Sequence, residues 1–69
     1  MKKTTKEYSL NDLPVFFRSQ NYEELKNASL FILKKDEKNF DALNSLAVAY
    51  KNLGNTNKAI EVFTHLVNL

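Results

Sequence analysis

Ala42-Leu43-Asn44-Ser45-Leu46-Ala47-Val48-Ala49-Tyr50-Lys51-Asn52-Leu53-Gly54-Asn55-Thr56-Asn57-Lys58-Ala59-Ile60-Glu61-Val62-Phe63 is the stretch that decides the fold. Leu43, Leu46, Ala47 and Tyr50 step by three, one and three, which puts them on one face of a helix. Val48 and Ala49 widen that face. Gly54 then supplies a left-handed position that other residues enter only at a steric cost, so the helix ends there. Asn55 or Thr56 can cap the next helix, which carries Ala59, Ile60, Val62, Phe63, Leu66 and Val67. The stretch therefore reads as two helices joined by a tight turn.

Upstream, the same signals recur in a weaker form. Leu10, Leu13, Phe16 and Phe17 are at helical spacing, and Asn11 or Asp12 can cap a short helix over about 12–20. Pro14 then falls in the first turn, where its missing N–H does little harm. Asn21 opens a second helix, with Glu24 placed for the return bond of a capping box. Tyr22, Leu25, Ala28 or Ser29, Ile32 and Leu33 form its apolar face. Leu30 and Phe31 add surface on other sides, so this helix is expected to touch two neighbours. Lys34 and Lys35 suit its C-terminus through the helix dipole. Residues 1–8 are polar and charged and read as a disordered N-terminal tail. The expected domain spans 9–69, with one hairpin over about 11–36 and another over about 39–69.

Displacing the sequence by 34 residues superposes the two hairpins. Leu13 falls on Ala47, Phe16 on Tyr50, Gln20 on Gly54, Leu25 on Ala59, Ile32 on Leu66 and Leu33 on Val67. Ser9 against Leu43, Asp12 against Leu46 and Ser29 against Phe63 do not correspond. The second copy thus resembles a tetratricopeptide repeat: Leu43, Leu46, Ala47, Tyr50, Gly54, Ala59 and Phe63 occupy the places of that family's pattern. Leu43 replaces the commoner Trp, Leu66 a small residue and Thr56 an aromatic. Upstream, Gln20-Asn21-Tyr22-Glu23-Glu24-Leu25 resembles the turn and second-helix start of a degenerate preceding repeat, with Leu25 in place of Ala and Glu37 in place of Pro. The resemblance covers about residues 10–69. It implies an all-α fold of two stacked antiparallel helix hairpins, a fragment of an α–α superhelix. The physical reasons stand beside it. Ala47 and Ala59 are small enough for close helix approach. Tyr50 and Phe63 are bulky enough to fill the space between layers.

Composition narrows the function. One Gly and one Pro in 69 residues starve an all-β fold of its turns. The chain has no Cys and one His, so neither a disulfide nor a thiolate metal site is expected, and no cofactor. Ten basic residues against eight acidic ones leave a charge of +2, without the one-sign stripe of a nucleic-acid binder. The longest apolar runs, Val15-Phe16-Phe17 and Leu30-Phe31-Ile32-Leu33, are far short of the roughly 20 residues that span a bilayer. Met1-Lys2-Lys3 is not followed by the apolar stretch of a secretory signal. The expectation is a cytoplasmic protein without nucleic-acid or membrane partners.

No residue set reads as catalytic. His65 has no Cys or Asp beside it and reads as a surface residue. Glu23-Glu24 and Asp36-Glu37 are neighbours along the chain, whereas acid–base chemistry needs carboxyls facing each other across a substrate. Asn44, Val48, Lys51 and Asn52 flank the face of the third helix opposite Leu46 and Tyr50. The family resemblance assigns such positions to an inner groove, where amide and ammonium groups grip an extended peptide. Phe17 and Arg18 extend this groove from the first helix. Val48 departs from the basic-and-Asn pairing of carboxylate-clamping members, so no such clamp is expected. Phe40 reads as an inter-hairpin packing residue. Two hairpins are fewer than the three or so repeats usually needed for stability. Val62, Leu66, Val67 and Leu69 cannot all be covered by one helix, so an open apolar interface is expected there.

The reading is a non-enzymatic protein–protein interaction or scaffolding module. Its partner is another protein or peptide, or a second copy of the chain. An N-terminal appendage of a larger enzyme, of glycosyltransferase or sulfotransferase type, is the alternative. A small secretion chaperone or adaptor is a third. The apolar ending, without the family's closing Pro or a capping helix, fits a cut chain or one capped by a partner.

Overall fold

The computed structural model describes residues 7–69. Four helices follow one another: α1 (Asp12–Arg18), α2 (Tyr22–Lys35), α3 (Phe40–Asn52) and α4 (Thr56–Val67). All regular structure among the described residues is helical. The turns between helices take three or four residues, so consecutive helices fold back on each other as antiparallel hairpins. The fold is the all-α pair of hairpins that the sequence implies.

The helix ends show why the chain breaks where it does. Asn39 Oδ1 accepts the Ala42 N–H at 2.9 Å and Asn21 Oδ1 accepts the Glu24 N–H at 3.4 Å, so both act as N-caps. The capping-box return from Glu24 is not made. Its Oε1 instead accepts the Tyr8 hydroxyl, and the Asn21 N–H donates to Phe16 O. Neither Asn11 nor Asn55 makes a side-chain cap bond, although each stands at an N-cap position. Asp12 Oδ2 accepts the Ser9 N–H at 2.9 Å, which shapes the entry to α1.

α1 ends at Arg18, two residues short of the expected 20. Gln20 adopts φ +59°, and its counterpart Gly54 adopts +86°. The closing hydrogen bonds are the same in both hairpins. The Asn21 N–H donates to Phe16 O at 2.9 Å and the Gln20 N–H to Phe17 O at 3.1 Å. The Asn55 N–H donates to Tyr50 O at 2.8 Å and the Gly54 N–H to Lys51 O at 3.2 Å. This pair of crossed bonds is the Schellman motif, formed twice at a spacing of 34 residues.

The core forms around small residues. Leu13, Leu25, Ala28, Ala42 and Ala49 are buried together, with Phe16, Tyr22, Ile32, Leu33 and Val48 packed around them. Alanines on α2 and α3 bring the two helices close, and Leu25 fills the space between. Full burial of one such leucine contributes about 2 kcal/mol. Leu43, Leu46, Ala47 and Ala59 are also buried, and α4 touches α3 alone among the helices. α2 contacts both α1 and α3, as its wide apolar surface predicts.

Three side chains depart from expectation. The expected tail over 1–8 falls mostly outside the described residues, but Tyr8 lies within them and is held. Its hydroxyl donates to Glu24 Oε1 at 2.6 Å, and its ring meets Phe16 and Phe31 edge-on at centroid distances of 6.1 and 5.8 Å. An aromatic that can reach two others gains more from packing than from solvent. Phe63 does not fully fill the space between layers: it is 37% exposed, at the edge of the stripe that α4 turns to α3. Phe40, the first residue of α3, is exposed rather than packed between hairpins.

Candidate functional site

α2 runs antiparallel to both its neighbours, so α1 and α3 run side by side in the same direction. Between them lies an open trough of about 520 Å3. Leu10, Asn11, Leu13, Pro14 and Phe17 line it from the first hairpin, and Asp41, Asn44, Ser45 and Val48 from the second. The floor is apolar, since Leu13 is buried and Val48 is half-buried against the core. The walls hold amide and hydroxyl groups. Asn11, Asn44 and Ser45 make no side-chain hydrogen bond among the described residues, so their donors and acceptors face the trough uncommitted.

Of the six expected groove residues, Phe17, Asn44 and Val48 meet in this trough. Arg18, Lys51 and Asn52 are exposed but do not line it. Asn52 is turned back on its own helix: its Nδ2 donates to Val48 O at 2.8 Å. Leu10, Asn11, Leu13, Pro14, Asp41 and Ser45 line it too, although the sequence reading did not assign them to the groove. The 34-residue displacement relates several of them. Leu10 and Asn44, Asn11 and Ser45, and Pro14 and Val48 are equivalent positions, and each pair lines the trough from its two sides.

The second surface is on α4. Ala59, Val62 and Leu66 form the stripe against α3, and Val62 and Leu66 are half-buried there. Val67 is 79% exposed and Leu69 is also exposed. Ile60 and Phe63, which were not among the four expected residues, are exposed beside Val67 on the same stripe. Charged and polar residues of α4, Lys58, Glu61 and His65, lie around the helix from this stripe, and Lys58 Nζ sits 5.9 Å from the Tyr50 ring centroid.

The carboxylates do structural work. Glu23 Oε2 pairs with Lys26 Nζ at 2.9 Å, and that hydrogen bond raises the Lys26 ammonium above its ordinary range. Asp36 Oδ2 accepts from Asn39 Nδ2 at 3.2 Å. No group of three His, Cys, Asp or Glu among the described residues could hold a metal ion. No described helix is long and apolar enough to cross a membrane.

No curated protein and no solved structure matches the chain. A family model described as the tetratricopeptide repeat matches residues 32–61, from the last turn of α2 through α3 into α4. That segment holds the buried Ala47 and Ala59 and the left-handed Gly54, and it is this segment that is similar to a tetratricopeptide repeat.

Proposed function

We propose that this chain is a non-enzymatic interaction module whose trough between α1 and α3 takes an extended segment of another protein. The observation that carries the reading is the trough itself. An apolar floor of Leu13, Pro14, Phe17 and Val48 is bordered by the amides of Asn11 and Asn44 and the hydroxyl of Ser45. Apolar side chains fit the floor, and uncommitted amides fit the peptide groups of an extended backbone. Repeats of this family serve as protein-interaction modules, which supports the same reading. Selection of random displayed peptides on the whole chain tests it. Enriched peptides should perturb backbone amides within 10–17 and 41–48 in heteronuclear NMR spectra. Peptides that perturb only other regions, or no enrichment at all, overturn it.

A second reading rests on α4. Ile60, Phe63 and Val67 leave a two-turn apolar stripe open, whereas Leu33, the counterpart of Val67, is half-buried in the core. In this reading a further helix, from a partner or a second copy, stacks on α4 as α3 stacks on α2. Val67→Asp should then weaken self-association or partner capture in sedimentation experiments without loss of helicity. An unchanged association constant removes this reading.

A further inference from the structure

The two ends of the trough differ in chemistry. Asp41, in the first turn of α3, is the only ionised residue in the lining. It makes no ion pair among the described residues, and it stands at the same end as Asn11 and Asn44. Pro14, Phe17 and Val48 make the other end apolar. Arg18 and Lys51 are exposed beside that apolar end in the sequence of their helices, outside the lining. A bound segment therefore meets negative charge first and then a hydrophobic floor.

The spacing can be worked out. Asp41 and Val48 are seven residues apart on one helix, which is about 10 Å along its axis. An extended segment advances about 3.3 Å per residue, so about three residues cover that length. We propose that the trough prefers a protein segment with a lysine or arginine three positions from a large apolar residue. The ammonium or guanidinium pairs with Asp41, the apolar side chain sits on Phe17 and Val48, and Asn11, Asn44 and Ser45 bond the backbone between. The inference rests on the trough being a peptide site and adds which peptides it takes. An acidic residue at the same position would face Asp41 and be repelled.

The test uses short synthetic peptides of one frame, Lys-x-x-Leu, with Glu or norleucine in place of Lys, titrated by fluorescence anisotropy near physiological salt. An exposed ion pair gives a modest preference, so the Lys peptide should bind about two- to fivefold tighter than the norleucine peptide. Asp41→Asn should abolish that difference, the Lys peptide losing its two- to fivefold advantage over the norleucine peptide. Circular dichroism reports whether the variant is folded, and the peptide series on the unaltered protein stands without it. If the Glu peptide binds as well as the Lys peptide, with amides of 10–17 and 41–48 still perturbed, the charge preference is overturned and the peptide site stands. If no peptide of the series perturbs the trough, the Lys-x-x-Leu preference is overturned, while selected peptides of other sequence decide the site itself.

Discussion

Gln20 and Gly54, 34 positions apart, hold the same left-handed backbone at the end of their helices, with φ of +59° and +86°. One is suited to that conformation and the other is not. An L-residue with a Cβ enters the left-handed region at a cost of roughly 1 kcal/mol, and Gly enters it freely.

Gln20→Gly should therefore stabilise the protein by about 0.5–1 kcal/mol, the gain reduced by the greater freedom of Gly when unfolded. Gly54→Gln should cost about 1 kcal/mol. No atom lies within 4 Å of a Cβ added at Gly54, so the loss is one of backbone conformation and not of space. Urea denaturation of both variants decides this. A destabilised Gln20→Gly would mean that the Gln20 side chain contributes more than its backbone costs.

Tyr8 binds through its hydroxyl and its ring. Tyr8→Phe removes the hydroxyl that donates to Glu24 and keeps the edge-on contacts to Phe16 and Phe31. A hydrogen bond to a charged group is worth about 1.5–3 kcal/mol, so Tyr8→Phe should lose about that much. Tyr8→Ala should lose more. Equal stability of all three proteins by thermal melting would show that residue 8 is not part of the packed structure in solution.

Ser29 is fully buried on α2, and its hydroxyl has no hydrogen-bond partner among the described residues. Ser29→Ala removes the unsatisfied group and improves helix propensity. It should raise stability by about 1 kcal/mol, equivalent to roughly 4–8 °C in melting temperature for a domain of this size. A lower melting temperature would mean that the hydroxyl finds a partner.

Ala59 is 3% exposed where α4 meets α3. Ala59→Leu should overpack that contact and destabilise by roughly 1–3 kcal/mol. Its counterpart Leu25 is already a leucine and fully buried, so the first hairpin accommodates there the volume that the second excludes. A neutral Ala59→Leu would show that α4 shifts outward without penalty.

Local signals made much of this fold legible. Asn21 and Gly54 mark helix boundaries because each acts within a few residues of itself. The buried Ala47 and Ala59 follow from the repeat, which fixes where helices must come close. The early end of α1 was missed because Gln20 carries no intrinsic left-handed preference; its crossed hydrogen bonds impose one. Tyr8 was missed because its partners Phe16, Glu24 and Phe31 lie on two helices that meet only in the folded chain. Half of the expected groove residues line the trough. The two-helix origin of the trough is in the reading, with Phe17 and Arg18 from the first helix and the rest from the third, but Arg18, Lys51 and Asn52 fall outside the lining because spacing along one helix does not say which residues its neighbour leaves open. On α4 the apolar character of the surface was legible, but which apolar residues turn to α3 was not. Ala59 directs Val62 and Leu66 inward, and so leaves Ile60 outside and Phe63 at the edge.

The order of contacts has a kinetic consequence. α1 meets α2, α2 meets α3, α3 meets α4, and only a slight contact joins α1 to α3. Nothing ties α4 back to the first two helices, so the protein can come apart from that end without disturbing the rest. Amide exchange should be slowest in α2 and α3, which are each packed between two helices, and faster in the end helices α1 and α4. When α4 does peel away it exposes the face of α3 it covered, and any molecule that stacks on Ile60, Phe63 and Val67 would act as a stopper on that fraying.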